Sequence, residues 1–148
     1  MLIETMTRQA SIALLDRTRL ARLAYVRDGQ PHIVPMSFAY DADCLYSFST
    51  LGEKIVWMRA NPRVCVEADE LVNVEKWETV IVQGRYEELP DTPRYDADRR
   101  HAHALLQRRP AWWEPGYVKT IIDGKERPLE VLYFRVRIDR ISGHRGVP

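Results

Sequence analysis

The densest chemical pattern in the chain is Tyr46-Ser47-Phe48-Ser49-Thr50-Leu51-Gly52-Glu53-Lys54. The hydroxyls of Ser49 and Thr50 leave the end of a strand-like run, Gly52 marks a turn, and Lys54 falls in the first turn of a helix. First-turn amides lack intrahelical partners and carry the positive end of the helix dipole. Hydroxyls, free amides and one ammonium are the donors that a phosphate group takes. The GxxxxGK[ST] spacing of a nucleotide P-loop is absent. The same residues also fit a polar turn with a solvated lysine. Glu53 places a carboxylate at the same helix start, where it gains from the dipole but opposes an incoming phosphate.

A second pattern is Pro31-His32-Ile33-Val34-Pro35-Met36-Ser37-Phe38. Proline inside a strand removes a ladder donor, so this strand belongs at a sheet edge or where pairing is interrupted. Backbone groups released there could serve a flat aromatic ligand; the plain alternative is an edge strand of a barrel. His101 and His103 are two apart in a helical stretch, do not share a face, and predict no metal site. Cys44 and Cys65 sit in apolar strand contexts without CxxC spacing. They read as reduced packing residues, in keeping with a cytoplasmic setting.

Composition narrows the partners. The 148 residues carry a formal net charge of +1, too weak a basic balance for a dedicated nucleic-acid binder. No apolar run approaches the roughly 20 residues of a membrane helix. Met1 to Thr7 lacks the cationic and apolar regions of a signal peptide. The length fits one domain over residues 1–148.

The elements that position these residues follow from periodicity. Thr7 caps a short helix to about Asp16, with Ile12 and Leu15 on its apolar face. Strands are expected over 20–26, 32–40 and 45–50, joined by turns at Asp28-Gly29 and Asp41-Ala42-Asp43. A helix spans 54–60 and stops before Asn61-Pro62. Strands follow over 63–68 and 77–89, with Val80 and Val82 on one face and Thr79, Ile81 and Gln83 on the other. Gly84 marks a bulge or a close backbone approach. An arginine-rich helix runs from Pro90-Asp91-Thr92-Pro93 to about Arg109, its charges forming a solvated face. A Trp112-Trp113 loop follows, either packing over the barrel or covering its cleft. The last strand, 131–141, alternates Leu132, Phe134, Val136 and Ile138 with Tyr133, Arg135, Arg137 and Asp139. Gly143 to Pro148 reads as a frayed or partner-contacting tail. Six mostly sequential strands with three helices predict a mainly β fold, a Greek-key-like antiparallel barrel whose closure removes exposed edges.

The order of these pieces resembles the pyridoxamine 5'-phosphate oxidase-related flavoproteins, especially the branch that includes the nitroimidazole-resistance reductases. The likeness runs through Gly29 to Met36, Leu45 to Lys54, Arg59 to Val64 and Trp77 to Arg85, and more loosely through Ile138 to Gly143. It implies a split β-barrel homodimer with FMN between the subunits, acting on a small-molecule substrate. By position, His32, Val34, Pro35, Met36 and Ser37 would line the isoalloxazine and ribityl chain, chiefly through backbone. Phe48, Ser49 and Thr50 would lie by the ribityl and phosphate, and Lys54 would pair with the phosphate. Trp77 and Thr79 would approach the flavin from the second subunit. The resemblance implies an oxidoreductase in which the cofactor carries the electrons and no side chain needs to act as acid or base. The alternative on the same barrel is a non-catalytic carrier or sensor binding flavin, deazaflavin or haem.

Overall fold

The computed structural model describes residues 1–108, 119–122, 124–128 and 131–148. In chain order the elements are β1 (Leu2–Thr5), α1 (Arg8–Arg17), β2 (Leu20–Arg27), β3 (Gln30–Ser37), β4 (Ala39–Asp41) and β5 (Cys44–Thr50). They continue with α2 (Glu53–Ala60), β6 (Arg63–Asn73), β7 (Lys76–Leu89), α3 (Asp96–Gln107), β8 (Lys119–Ile122), β9 (Lys125–Pro128) and β10 (Val131–Val147).

The main sheet is antiparallel and runs β3-β2-β6-β7-β10-β5-β4, with β1 added to β10. β3 and β4 stand at opposite ends of this path yet follow one another in sequence, joined through the fully buried Phe38. The sheet therefore curls until its ends meet. Ser47 Oγ donates to the Ser37 carbonyl at 2.6 Å across the meeting point. Leu23, Leu45, Val80, Val82 and Phe134 fill the interior, and α2 contributes Ile55 and Met58 to the same core.

The turns form where the residue types predict. Asp28 and Gly29 both have positive φ (49° and 76°), as do Ala42 and Asp43, which matches the twist of a two-residue hairpin. Thr7 Oγ1 accepts from the Ala10 amide at 3.1 Å, capping α1. The buried face of α1 is built by Ser11, Leu14 and Leu15, with Ile12 only half-buried. Gly84 is a close approach: a Cβ there would meet Val136 Cγ1 at 2.7 Å and the Arg137 carbonyl closer still. The register of β10 against β7 shifts just beyond it, between Ile138 and Arg140.

Several elements depart from expectation. β6 runs on to Asn73, because the longer β7 pairs with it as far as Lys76. The tail after Gly143 is not frayed: β10 continues to Val147, with β7 on one side and β1 on the other. β1 and the β8–β9 hairpin carried too little periodicity to be read. Arg135, on the polar side of β10, is only 7% exposed because α3 lies over that face. Trp112 and Trp113 lie outside the described residues, as does Arg109. Among the described residues no helix is long and apolar enough to cross a membrane.

Candidate functional site

The site begins at an interruption in the sheet. β4 pairs with β5 up to Ala39 opposite Tyr46. Continued, that register would set Ser37 opposite Phe48 and Pro35 opposite Thr50. Instead the chain bends at Phe38, and β3 pairs only with β2. A seam is left between β3 and β5, and β3 is an edge strand, as its two prolines require.

The predicted residues of β3 line one side of this seam. His32 is half-buried and stacks on Tyr25, with ring centroids 5.4 Å apart. Val34 is half-buried and Pro35 exposed, whereas the side chains of Met36 and Ser37 are buried in the barrel. Met36 and Ser37 can therefore present only backbone to a ligand outside the core. On the other side, Ser49 pairs with Leu132, while Phe48 pairs with Tyr133 and Thr50 with Val131. Directly opposed residues share a face. Ser49 thus points with Leu132 to one side of the sheet, and Phe48 and Thr50 to the other. Only beyond the strand end can these hydroxyls serve a common ligand.

That end leads into α2. Gly52 is its N-cap, with no side-chain cap bond, so the first-turn amides of Glu53 and Lys54 need acceptors from elsewhere. Gly52 itself is extended (φ −162°), a conformation open to any residue, and a Cβ there would meet only the Thr50 carbonyl at 3.9 Å. The sharp turn does not depend on glycine. Lys54 is half-buried, and burial pulls its pKa below the ordinary lysine value. It makes no hydrogen bond or ion pair with the described residues. A half-buried ammonium without a counter-charge is costly. Beside free amides and the end of β5, it fits an incoming anion.

The neighbouring carboxylate has been dealt with by the fold. Glu53 is ion-paired with Arg27 at the end of β2, and the Arg27 guanidinium lies 5.2 Å over the Trp57 ring. Sequence reading missed this group, because the contact joins α2 to a hairpin more than 20 residues earlier. The expected opposition of Glu53 to phosphate is thereby weakened.

Trp77 and Thr79 are not brought to the seam within one chain. Thr79 pairs with His144 and Thr50 with Val131, which are 13 residues apart along β10. That is roughly 40 Å of strand at about 3.3 Å per residue. Trp77 instead packs on Gly146, where a Cβ would meet its Nε1 at 2.6 Å. Thr79 donates to Glu67 at 3.1 Å.

The titratable groups under α3 form a separate cluster. Arg135 donates to Glu87 at 2.8 Å and to Asp98 at 3.1 Å, and Glu87 also accepts from Arg137. Burial alone would raise the Glu87 pKa, but the two guanidiniums outweigh it and hold it down to about 2. His101 is bonded to Asp41 and His103 to the Tyr133 hydroxyl, each at 2.7 Å. The two histidines thus serve different partners. Among the described residues no group of His, Cys, Asp and Glu is arranged to hold a metal.

An antiparallel barrel left open along one seam, with a half-buried lysine in the first turn of the helix that follows a seam strand, defines a split-barrel protein. The chain belongs to the pyridoxamine 5'-phosphate oxidase family, whose model matches residues 7–145. It is 39% identical over 143 residues to an uncharacterized protein of Rhizobium meliloti, covering 97% of this chain and 95% of that one. The crystal structure of a FAD-binding protein from Mesorhizobium loti superposes with a TM-score of 0.82 at 40% identity, covering 99% of both chains. That of a FAD-binding protein from Mycobacterium smegmatis gives 0.68 at 25% identity, covering 97% of this chain and 98% of that one.

Proposed function

We propose that this chain is a flavin-binding oxidoreductase acting on a small molecule, with the phosphate of the FMN moiety held at Lys54. The observation that carries this is the half-buried Lys54, without a partner among the described residues, in the first turn of α2 of a family barrel. The FAD-binding relative from Mesorhizobium loti, 40% identical over nearly the whole chain, supports it. When bound, the flavin would supply the electron transfer. The protein's part is to bind and orient it: Lys54 and the first-turn amides take the phosphate, and the backbone of His32 to Ser37 borders the ring system.

The reading includes a homodimer in the cytoplasm, with the cofactor between subunits. Ile33, Ala24 and Cys65 form one cross-strand row on the outer face of the sheet, beside Val26. Ile33 is 67% exposed there and Ile81 40%. Thr79 projects from β7 on the same side as Ile81. A second copy seated on this face would carry its Thr79 toward the first copy's seam, which one chain cannot do for itself.

The test begins with colour. Purified protein should be yellow, with absorbance near about 450 nm, and light scattering should give twice the chain mass. Lys54→Ala should weaken FMN binding by about ten- to a hundredfold in a fluorescence titration. Equal affinity in wild type and variant would place the phosphate elsewhere. NAD(P)H oxidation by the yellow protein would distinguish an enzyme from a carrier.

A further inference from the structure

The outer face on which a second copy would sit carries a hydrogen bond that fixes the polarity of one hydroxyl. In the register of β6 against β7, Asp69 lies opposite Thr79 and Glu67 opposite Ile81. Glu67 and Thr79 are therefore diagonal neighbours on one face of the sheet. Arg22 of β2 lies opposite both Glu67 and Pro35 of β3. This row runs next to that of Ile33, Ala24 and Cys65 and ends on the strand that borders the seam.

Thr79 is half-buried, and its Oγ1 donates to Glu67 Oε2 at 3.1 Å. Arg22 reaches the other oxygen, Glu67 Oε1, at 3.4 Å and Asp69 Oδ2 at 3.0 Å. Burial and the adjacent Asp69 raise the Glu67 pKa above its ordinary value, and Thr79 and Arg22 oppose that rise. With the guanidinium as counter-charge, Glu67 is a carboxylate at neutral pH. An ionised carboxylate only accepts, so the one hydroxyl proton of Thr79 is committed to it. What the Thr79 oxygen offers outward is then its lone pairs alone.

An acceptor with no proton to give selects a donor. The oxidised isoalloxazine ring carries a single N–H, at N3, among carbonyl and ring-nitrogen acceptors. We propose that Glu67 is a positioning residue for the flavin: it makes Thr79 of one copy an obligate acceptor, and that oxygen takes the N3–H of the flavin held by the other. The inference rests on the flavin-binding dimer proposed above. Thr79 touches the cofactor, and Glu67 acts through Thr79.

The experiment titrates flavin-free protein with FMN and with 3-methyl-FMN, which lacks the N3–H, following flavin fluorescence, with the mass checked by light scattering. Wild type should bind FMN at least about tenfold more tightly than 3-methyl-FMN, whose methyl group removes the donor and leaves the acceptor unpaired. Thr79→Val should weaken FMN binding by about two- to tenfold, the scale of one hydrogen bond, and leave 3-methyl-FMN binding unchanged. Glu67→Leu should act in the same direction, and should add nothing in the Thr79→Val background. Glu67→Gln, whose amide oxygen still accepts from Thr79, should restore most of the loss. Equal wild-type affinity for the two flavins overturns the inference and leaves the flavin reading intact. So do losses in Thr79→Val or Glu67→Leu that are the same for both flavins, or losses that add in the double variant. Failure of wild type to bind either flavin, or binding by a monomer, overturns the flavin-binding dimer and the inference with it.

Discussion

Arg135 and Lys54 are both withdrawn from solvent to some degree, and the fold treats them differently. Arg135, 7% exposed under α3, is enclosed by Glu87, Asp98 and the Tyr46 hydroxyl at 2.8, 3.1 and 3.5 Å. Only its Nε lacks a partner. Lys54, half-buried at the start of α2, has none of these. A buried charge that folding itself satisfies is structural, because everything it needs is present in the one chain. A buried charge left unsatisfied costs stability, and is retained where something outside the chain completes it. On this comparison the Arg135 cluster anchors α3 to β10, whereas the proposed role of the Lys54 turn is to receive a ligand.

The largest expected effect comes from breaking the satisfied site. Glu87→Ala removes the carboxylate shared by Arg135 and Arg137 and leaves Arg135 buried beside Asp98 alone. Such a loss costs about 3–5 kcal/mol, read as a lower midpoint in denaturant unfolding. A change under about 1 kcal/mol would mean that solvent reaches Arg135 and that the cluster is not an anchor. Acid tests the same site. The folded-state pKa of Glu87, about 2, lies below its ordinary 4.5. A depressed carboxylate contributes stability that is complete above its unfolded value and disappears as pH falls through the folded one. Stability should therefore drop between about pH 5 and pH 2, by up to about 3 kcal/mol from this group. In Glu87→Gln this part of the pH dependence should vanish.

The unsatisfied site should respond with the opposite sign. Lys54→Met keeps the aliphatic stem and removes a desolvated charge, so the flavin-free protein should gain on the order of 1 kcal/mol. Flavin affinity in the same variant should fall by about ten- to a hundredfold. Stability gained with affinity lost marks a ligand site. Stability lost with affinity unchanged would make Lys54 one more structural cation and remove the contrast.

How far the sequence disclosed these two sites follows from what each depends on. The Lys54 turn was legible because strand end, turn and helix start are contiguous, and local propensity decides each of them. The edge position of β3 was legible from Pro31 and Pro35 for the same reason. Arg135 was legible only as one of the polar residues alternating along β10. Its burial depends on α3 folding back across β10 and β5, a contact that alternation cannot reveal. The Arg27–Glu53 and Arg22–Glu67 pairs were hidden likewise, since each joins elements distant in sequence. Trp77 and Thr79 were assigned to the flavin by resemblance, and one chain sets them at the far end of β10 from Thr50. That separation is a matter of assembly, outside what residue spacing encodes.

The smallest effect concerns the residue between the two regimes. Glu53 stands beside Lys54 but pairs with Arg27, on side chains that are 56% and 43% exposed. Exposed pairs of this kind are worth about 0–1 kcal/mol. Glu53→Arg removes the carboxylate and leaves Arg27 free, so two guanidiniums then stand near the Lys54 turn. They repel one another, and the flavin-free protein should lose up to about 1 kcal/mol. They also raise the positive potential at the cradle, and flavin should bind a few-fold more tightly at low salt. Both changes act through solvent, where the screening length is only about 10 Å at 0.1 M salt. Both should therefore shrink together as salt is added, while the Lys54→Met effects, made in a partly desolvated turn, persist. Affinity and unfolding midpoint measured at low and high salt separate the two. If Glu53→Arg leaves affinity unchanged at low salt while lowering stability, Arg27 and Glu53 are a surface clasp between β2 and α2, and the cradle is Lys54 and backbone alone.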